Sequence, residues 1–325
     1  MATSKTLRQP TAIQLSRLSD RLSFLYLDKC NIEQDDNGTL AKVNGGTQKE
    51  KTTYLPISTL TCLILGHGTT ITQQAVANLS RSGCAVVFVG AGGVRSYGAF
   101  LSPYASTTLL YKQAEKFSDP VKRIAWAKAM YAKRFPDEML FSYAPDDVTI
   151  EQLRGVEGAR MKTAYQSEAR KHRVTKWRRD RGDSEFGPTD NVNIALNFAN
   201  TALYGVTNAV VLALGLSPGL GAIHHGNRQA FVLDIADFYK TDVTIPLAFS
   251  LHDSDDPGND AMRKLRDQFC LLRLIPRMVD DIYELLDEDI GQSGEWDVDE
   301  LFLWGTNGLV QSGQNFDTSA IERGV

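Results

Sequence analysis

At Pro103 the hydrophobic pattern of this 325-residue chain changes period, and that change limits the possible folds more than any other feature. Before it, RLSFLYLDKCNIE, TTYLPIS, TLTCLILG and CAVVFVG are short branched or aromatic runs bounded by Gly, Asn, Asp and Ser, the pattern of strands. TITQQAVANLSRSG, between the last two, predicts a short helix closed by Gly83. VGAGGVRSYG, residues 89–98, holds a glycine cluster, but the residues after it read as strand. A hairpin turn fits there, and a dinucleotide-binding strand–loop–helix does not.

After Pro103 the apolar spacing is helical. DPVKRIAWAKAMYAKRF has Asp119 as N-cap, Pro120 at the first helical position, and Ile124, Ala127, Tyr131 and Phe135 along one face. Thr149 and Gln152 form a capping box for a helix running toward His172. Another long pattern, 190–216, stops at Ser217-Pro218-Gly219, and a further helix covers 259–288. The fold class is therefore α+β. A β-rich domain is expected over 1–103, with 1–17 flexible, followed by an all-α domain over 104–288 and a flexible acidic tail over 289–325. The tail's LFLW cluster reads as an anchor able to dock on a partner.

No apolar run reaches the roughly 18 residues of a membrane span, and MATSKTLRQPTAIQL lacks the apolar core of a secretion signal. Cys30, Cys62, Cys84 and Cys270 show no CxxC spacing and read as reduced thiols, so a cytoplasmic location is expected. The net charge of −4 hides an uneven distribution. Residues 279–325 carry −11, and residues 1–278 carry +7. The densest basic run, 154–181, has ten Lys and Arg against three acids. Such a run is a solvated face or a surface for a phosphate backbone.

FVLDIADFYK places Asp234 and Asp237 three residues apart in an otherwise apolar segment, on one face if helical. Buried carboxylates need a positive partner, and no Lys or Arg lies between Ala230 and Tyr239 to supply one. His224 and His225 sit just upstream. Glu157 is flanked by Gly155 and Gly158 inside a helical pattern. Each such glycine costs about 1 kcal/mol relative to alanine. The pair suggests either a close backbone or ligand, or tight helix packing beside an exposed Glu. Asn193, Asn197, Asn200 and Tyr204 form one polar stripe, which faces solvent or lines a cleft. One histidine with two or three carboxylates is a hard-ligand set suited to magnesium or manganese rather than structural zinc. Beside a basic surface, this points to phosphodiester chemistry on nucleic acid.

EQLRGVEGAR with Tyr165 downstream, TALYGVTNAVVLALGLSPGLGAIHHG and FVLDIADFYK resemble the CRISPR-associated integrase, the spacer-acquisition nuclease, in its type I-E branch. CLILGHGTTIT and VVFVGAGGVRSYG extend the resemblance into the β part. It implies a homodimer, two of which flank a dimer of a small ferredoxin-like partner. It places the metal ligands on Glu157, His224 and Asp234, with Asp237 as the second acid and Tyr204 as an active-site tyrosine. Lys240 and Arg95 match basic positions that meet DNA. Arg170, Lys171, Arg173, Lys176, Arg178 and Arg179, with Arg263 and Arg266, are expected on the DNA backbone. His225 is expected to be supporting or structural. The tyrosine that caps the incoming duplex in this branch is unmatched; Lys29 lies near that position, with Tyr26 close by.

The reaction so implied is attack by the 3′-hydroxyl of a short captured DNA on a phosphodiester at the border of a CRISPR repeat. Water in place of that hydroxyl gives cleavage. Two other classes remain compatible with the residues. One is a catalytically silent DNA-binding scaffold, which a metal-dependent nicking assay separates. The other is a small-molecule metallophosphodiesterase, which salt-sensitive DNA binding dismisses.

Overall fold

The structure, a computed structural model, describes residues 23–43, 51–90, 96–100, 107–136, 148–180, 190–271, 274–287, 302–305 and 308–311. Strands β1 (Ser23–Leu27), β5 (Leu60–Leu65), β7 (Ala85–Val89) and β8 (Ser96–Phe100) form one sheet in the order β1-β5-β7-β8. Its first three strands are parallel, and β8 runs antiparallel to β7 with Val86 opposite Phe100. The expected hairpin is present. A second sheet has the order β4-β3-β2-β6, from β2 (Cys30–Asp35), β3 (Gly38–Val43), β4 (Lys51–Tyr54) and β6 (Thr70–Ile71). The β2–β3 turn is tied by Asp35 Oδ1, which accepts from Asn37 N at 2.8 Å and Gly38 N at 3.0 Å.

Helix α1 (Gln73–Arg81) starts at Thr72, whose side chain accepts from Ala75 N, and ends before Gly83, whose φ of 73° only glycine adopts without strain. It buries Ala75 and Leu79 with Ile32 and Leu63 from the two sheets. Each fully buried Leu or Ile of this kind contributes roughly 1.5–3 kcal/mol relative to exposure.

The rest is helical. Helix α2 spans Thr108–Ser118, α3 Pro120–Arg134, α4 Ile150–Lys171 and α5 Asn191–Ala213. Helix α6 spans Ala230–Tyr239 and continues through a π-helical turn, Lys240–Thr244, into α7, Ile245–Phe249. Helices α8 (Pro257–Leu271) and α9 (Leu274–Leu285) follow. The caps stand where the sequence placed them. Asp119 accepts from Val121 N and Lys122 N, and the Thr149–Gln152 box is closed in both directions. A further cap, not read from the sequence, is Asp190, which accepts from Asn193 N to start α5. The N-terminal β-rich and C-terminal helical arrangement is as expected.

Three points differ from the sequence reading. Helix α2 has no strong sequence signal, since its apolar stripe is thin and it buries only Leu109 and Gln113. The span 259–288 is two helices rather than one, their ends separated by residues 272–273. In the tail segment containing LFLW, where no strand was expected, β9 (Phe302–Gly305) pairs antiparallel with β10 (Gly308–Gln311). Among the described residues no helix is long and apolar enough to cross a membrane.

Helix α5 joins the two parts. Along most of its length Val192, Ala195, Leu196, Ala199 and Leu203 enter the helical core, but Ala209 packs with Cys62, Ile64 and Val87 of the first sheet.

Candidate functional site

The loop between α5 and α6 is folded around one carboxylate. Asp234 is 0% exposed. Its Oδ2 accepts from Ile223 N at 3.1 Å, and its Oδ1 accepts from His224 N at 3.0 Å and lies 2.7 Å from His224 Nδ1. A hydrogen on Nδ1 directed at Asp234 leaves Nε2 as the free lone pair of the ring, the usual arrangement when a histidine binds a metal. The Asp234 hydrogen bond holds the His224 pKa above the ordinary histidine value, against the opposing effect of burial. Burial pushes the Asp234 carboxyl up, opposed by His224 and the two backbone N–H groups.

Gly221 lets the loop close this tightly. A Cβ there would stand 2.7 Å from both Asp234 Oδ2 and the Ala230 carbonyl carbon. Gln113 of α2 and Arg123 of α3 brace the same loop, donating to the carbonyls of Ser217, Leu220 and Ala222.

Asp237, one turn further, looks into a different cluster. Arg134, at the last turn of α3, places Nη1 2.5 Å from Glu157 Oε1 and 3.3 Å from Asp237 Oδ2. Tyr131 donates its hydroxyl to Glu157 Oε2 at 3.1 Å. Burial and the adjacent Glu157 both push the Tyr131 hydroxyl pKa upward, so it remains a donor. Lys240, the first residue of the π-helical turn, lies 2.5 Å from Asp237 Oδ1 and 4.9 Å from the centre of the Tyr204 ring. Burial raises the Asp237 pKa, but Lys240 and Arg134 outweigh it, and the carboxyl sits below its ordinary value. Burial also works against the Lys240 charge, yet Asp237 and Tyr204 keep it firmly protonated. The wide turn is pinned by Thr244 Oγ1, which donates to Asn200 Oδ1 at 2.7 Å. π-Turns of this kind are frequent at functional sites.

The structure thus brings together Glu157, Asp237, Lys240 and Tyr204, with the His224–Asp234 pair beside them. Asp234, expected as a metal ligand, differs from Asp237 in its surroundings. Both Asp234 oxygens are consumed by the loop and it has no exposed surface, whereas Asp237 is the acid that faces Glu157. Among the described residues no three His, Cys, Asp or Glu side chains already stand as a metal cage. The positive partner that the sequence required for the DxxD pair is split. His224 serves Asp234, while Arg134 and Lys240 serve Asp237. Arg134, Tyr131 and Gly221 were missed. Tyr131 was legible only as a member of the expected apolar face of α3, and Arg134 carried no signal beyond lying next to Phe135 at the end of that face.

Other expectations separate on geometry. Gly155 and Gly158 have no atom within 4 Å of an added Cβ and lie on the outward face of α4, so no backbone presses on them. The asparagine stripe divides: Asn200 and Tyr204 stand at the π-helical turn and Lys240, while Asn193 and Asn197 meet a returning segment of the chain. Asn193 Oδ1 accepts from Arg179 Nη1 at 2.9 Å and from Asp180 N at 2.9 Å. Asn197 Oδ1 accepts from Arg179 Nη2 at 2.6 Å. Asn193 and Asn197 clamp residues 178–180, so Arg179, expected on the DNA backbone, is held by the protein itself. Trp177 is likewise structural, packed between Tyr165 and Phe249 with its Nε1 donating to Asp190 at 3.3 Å.

Arg170, Lys171, Arg173, Lys176 and Arg178 are exposed. Lys171 pairs loosely with Glu168 at 3.4 Å, and Arg263, also exposed, pairs with Asp260 at 2.7 Å. Lys176, Trp177, Arg178, Asp190 and His252 line a groove of about 910 Å³ to which none of the site carboxylates contributes. His225 is exposed, not packed behind His224. Tyr26 turns its hydroxyl toward Asp28, at 3.4 Å, beside Gly66. Arg95 and the Arg266 side chain lie outside the described residues.

Comparison with known proteins gives one consistent result. The family model described as CRISPR associated protein Cas1 matches residues 28–139 and 136–272. The CRISPR-associated endonuclease Cas1 of Clostridium sp. is 34% identical over 307 residues, covering 93% of this chain and 98% of that protein. The CRISPR-associated endonuclease Cas1 of Escherichia coli K12 is 32% identical over 272 residues, covering 82% and 86%. A crystal structure of a TtCas1–DNA complex superposes with a TM-score of 0.70 at 35% identity, covering 84% of this chain and 99% of that one. The chain belongs to the CRISPR-associated Cas1 family.

Proposed function

We propose that this protein is a divalent-metal-dependent DNA endonuclease and integrase of CRISPR adaptation, of the type I-E-like branch. The observation that carries the reading is the meeting of Glu157 and Asp237 around a buried positive charge, next to a histidine whose Nδ1 is already fixed by Asp234. Magnesium or manganese suits the donors, which are carboxylate oxygens and one imidazole nitrogen with no thiolate. The position of Arg134 between the two carboxylates supports a site built to accept positive charge. Glu157, His224 through Nε2, and Asp237 would hold the ion. It would supply Lewis-acid activation of the phosphodiester and stabilise the oxygen that leaves.

The chain's own residues do the remaining work. Asp234 orients the imidazole, and Tyr131 fixes one oxygen of Glu157. Lys240, fully charged and resting on Tyr204, offers a positive group to a DNA phosphate beside Asp237. The attacking group is the 3′-hydroxyl of a short captured DNA, and a new phosphodiester forms as the broken one releases another 3′-hydroxyl. No energy source is consumed. With water as nucleophile the same site cleaves DNA. The exposed bases Arg170, Lys171, Arg173, Lys176 and Arg178 would track the backbone without reading sequence. A family structure in complex with DNA supports this assignment.

The working form would be a cytoplasmic homodimer, with residues 1–103, 104–288 and 289–325 as β-rich domain, catalytic domain and acidic tail, joined by a small ferredoxin-like partner. The test is a nicking and strand-joining assay on prespacer and repeat duplexes with Mg²⁺, with Mn²⁺ and with chelator. Activity that survives full chelation would exclude the metal-dependent reading.

A further inference from the structure

The two carboxylates of the site already share a cation that belongs to the protein. The Arg134 side chain is 3% exposed, and its Nη1 contacts Glu157 Oε1 and Asp237 Oδ2 together. Its Nη2 lies 3.0 Å from Met161 Sδ, and the guanidinium stands 5.0 Å from the centre of the Phe135 ring. A side chain so enclosed does not reach a DNA phosphate in solvent. A guanidinium does not give up its proton in proteins, so this charge is permanent. Lys240 also faces Asp237, but on the other oxygen and without touching Glu157. Arg134 is the group that bridges both acids.

We propose that Arg134 is a resident counter-ion, a positioning residue that holds Glu157 and Asp237 in the metal-free protein and competes with the divalent ion for them. It thereby sets the affinity of the metal site. The inference rests on the metal-dependent reading above. Carboxylates facing each other out of water require compensation, and Arg134 provides it before any metal arrives. A divalent ion bound to the same two groups meets a fixed like charge at close range. Charges about 4–6 Å apart commonly shift a charge-binding equilibrium by one to three decades.

The experiment uses the full chain, stripped of metal, as wild type, Arg134→Met and Arg134→Lys. Mn²⁺ binding is read by calorimetry and melting temperature is read with and without Mn²⁺. Arg134→Met should bind Mn²⁺ at least about tenfold more tightly than wild type, melt lower when metal-free, and gain more melting temperature from Mn²⁺. Arg134→Lys, which keeps the charge, should bind Mn²⁺ much as wild type does. Unchanged or weaker Mn²⁺ binding by Arg134→Met, with wild type binding normally, overturns this inference and leaves the metal reading intact. No Mn²⁺ uptake by wild type removes the metal reading and this inference with it. If Arg134→Met does not fold even with Mn²⁺, crystals of wild type soaked in Mn²⁺ decide. Arg134 drawn away from at least one carboxylate supports competition, and Arg134 still hydrogen-bonded to both overturns it.

Discussion

His224 Nδ1 lies 2.7 Å from Asp234 Oδ1, and the same carboxylate takes the backbone N–H groups of Ile223 and His224. The aspartate is thus the foundation of the loop as well as the support of the ring.

Asp234→Ala is therefore expected to cost stability as well as activity. Two buried N–H groups lose their acceptor, at about 1–3 kcal/mol each. Asp237→Ala should abolish joining with a smaller stability loss, because among the described residues its partners are the side chains of Arg134 and Lys240 rather than backbone groups. Urea unfolding of the two metal-free variants compares them directly. A larger loss in Asp237→Ala would reverse the assignment of the two acids.

The raised His224 pKa gives a pH dependence whose sign is fixed. The folded value lies above the unfolded one, about 6.5. Its contribution to stability is fully present below that pH and is lost as pH rises through the folded value. Metal-free wild type should lose stability across and above neutral pH, and His224→Gln should lose less over the same interval. Parallel unfolding curves for the two proteins from about pH 6 to about pH 9 would contradict this.

Arg179 should behave differently from the exposed bases near it. Glu in place of Arg173, Lys176 or Arg178 should weaken binding to all duplexes alike, lowering the salt slope by roughly one for each phosphate no longer neutralised. Arg179→Ala should instead lower the melting temperature, since it removes the Arg179 donor from Asn197 Oδ1 and one of the two donors from Asn193 Oδ1. Equal stability of Arg179→Ala and wild type would count against the clamp.

Gly221→Ala, a change of one methyl group, should disturb the site from outside the chemistry. The added Cβ meets backbone and a buried carboxylate, not a flexible side-chain end. Overpacking of this kind costs about 1–3 kcal/mol, and the displaced loop should weaken Mn²⁺ binding as well. Binding at wild-type strength would show that the loop relaxes without moving His224.

Local signals made part of this legible. Asp119 and Thr149 cap helices through hydrogen bonds to their own next turn, so the chain announces those starts within four residues. The i, i+3 spacing of Asp234 and Asp237 placed them on one helix for the same reason. Their division of labour was not legible. It depends on Lys240 three residues on from Asp237, on His224 ten residues back from Asp234, and on Arg134, which is 103 residues from Asp237 in sequence. No local pattern encodes a partner at that separation. The DxxD motif says that positive charge is needed and leaves open which acid receives it. The asparagine stripe was legible only as a polar face: the sequence left open solvent or cleft, and did not show that Asn193 and Asn197 take a returning segment of the chain as partner.

The burial of Ala209 against the sheet has a mechanical consequence. Tyr204 lies five residues earlier on the same helix, roughly 7–8 Å along its axis, and its ring supports Lys240. Between that packing contact and the ring the helix runs unbroken, with no loop in the path. The position of the lysine's support is thereby tied to the position of the sheet.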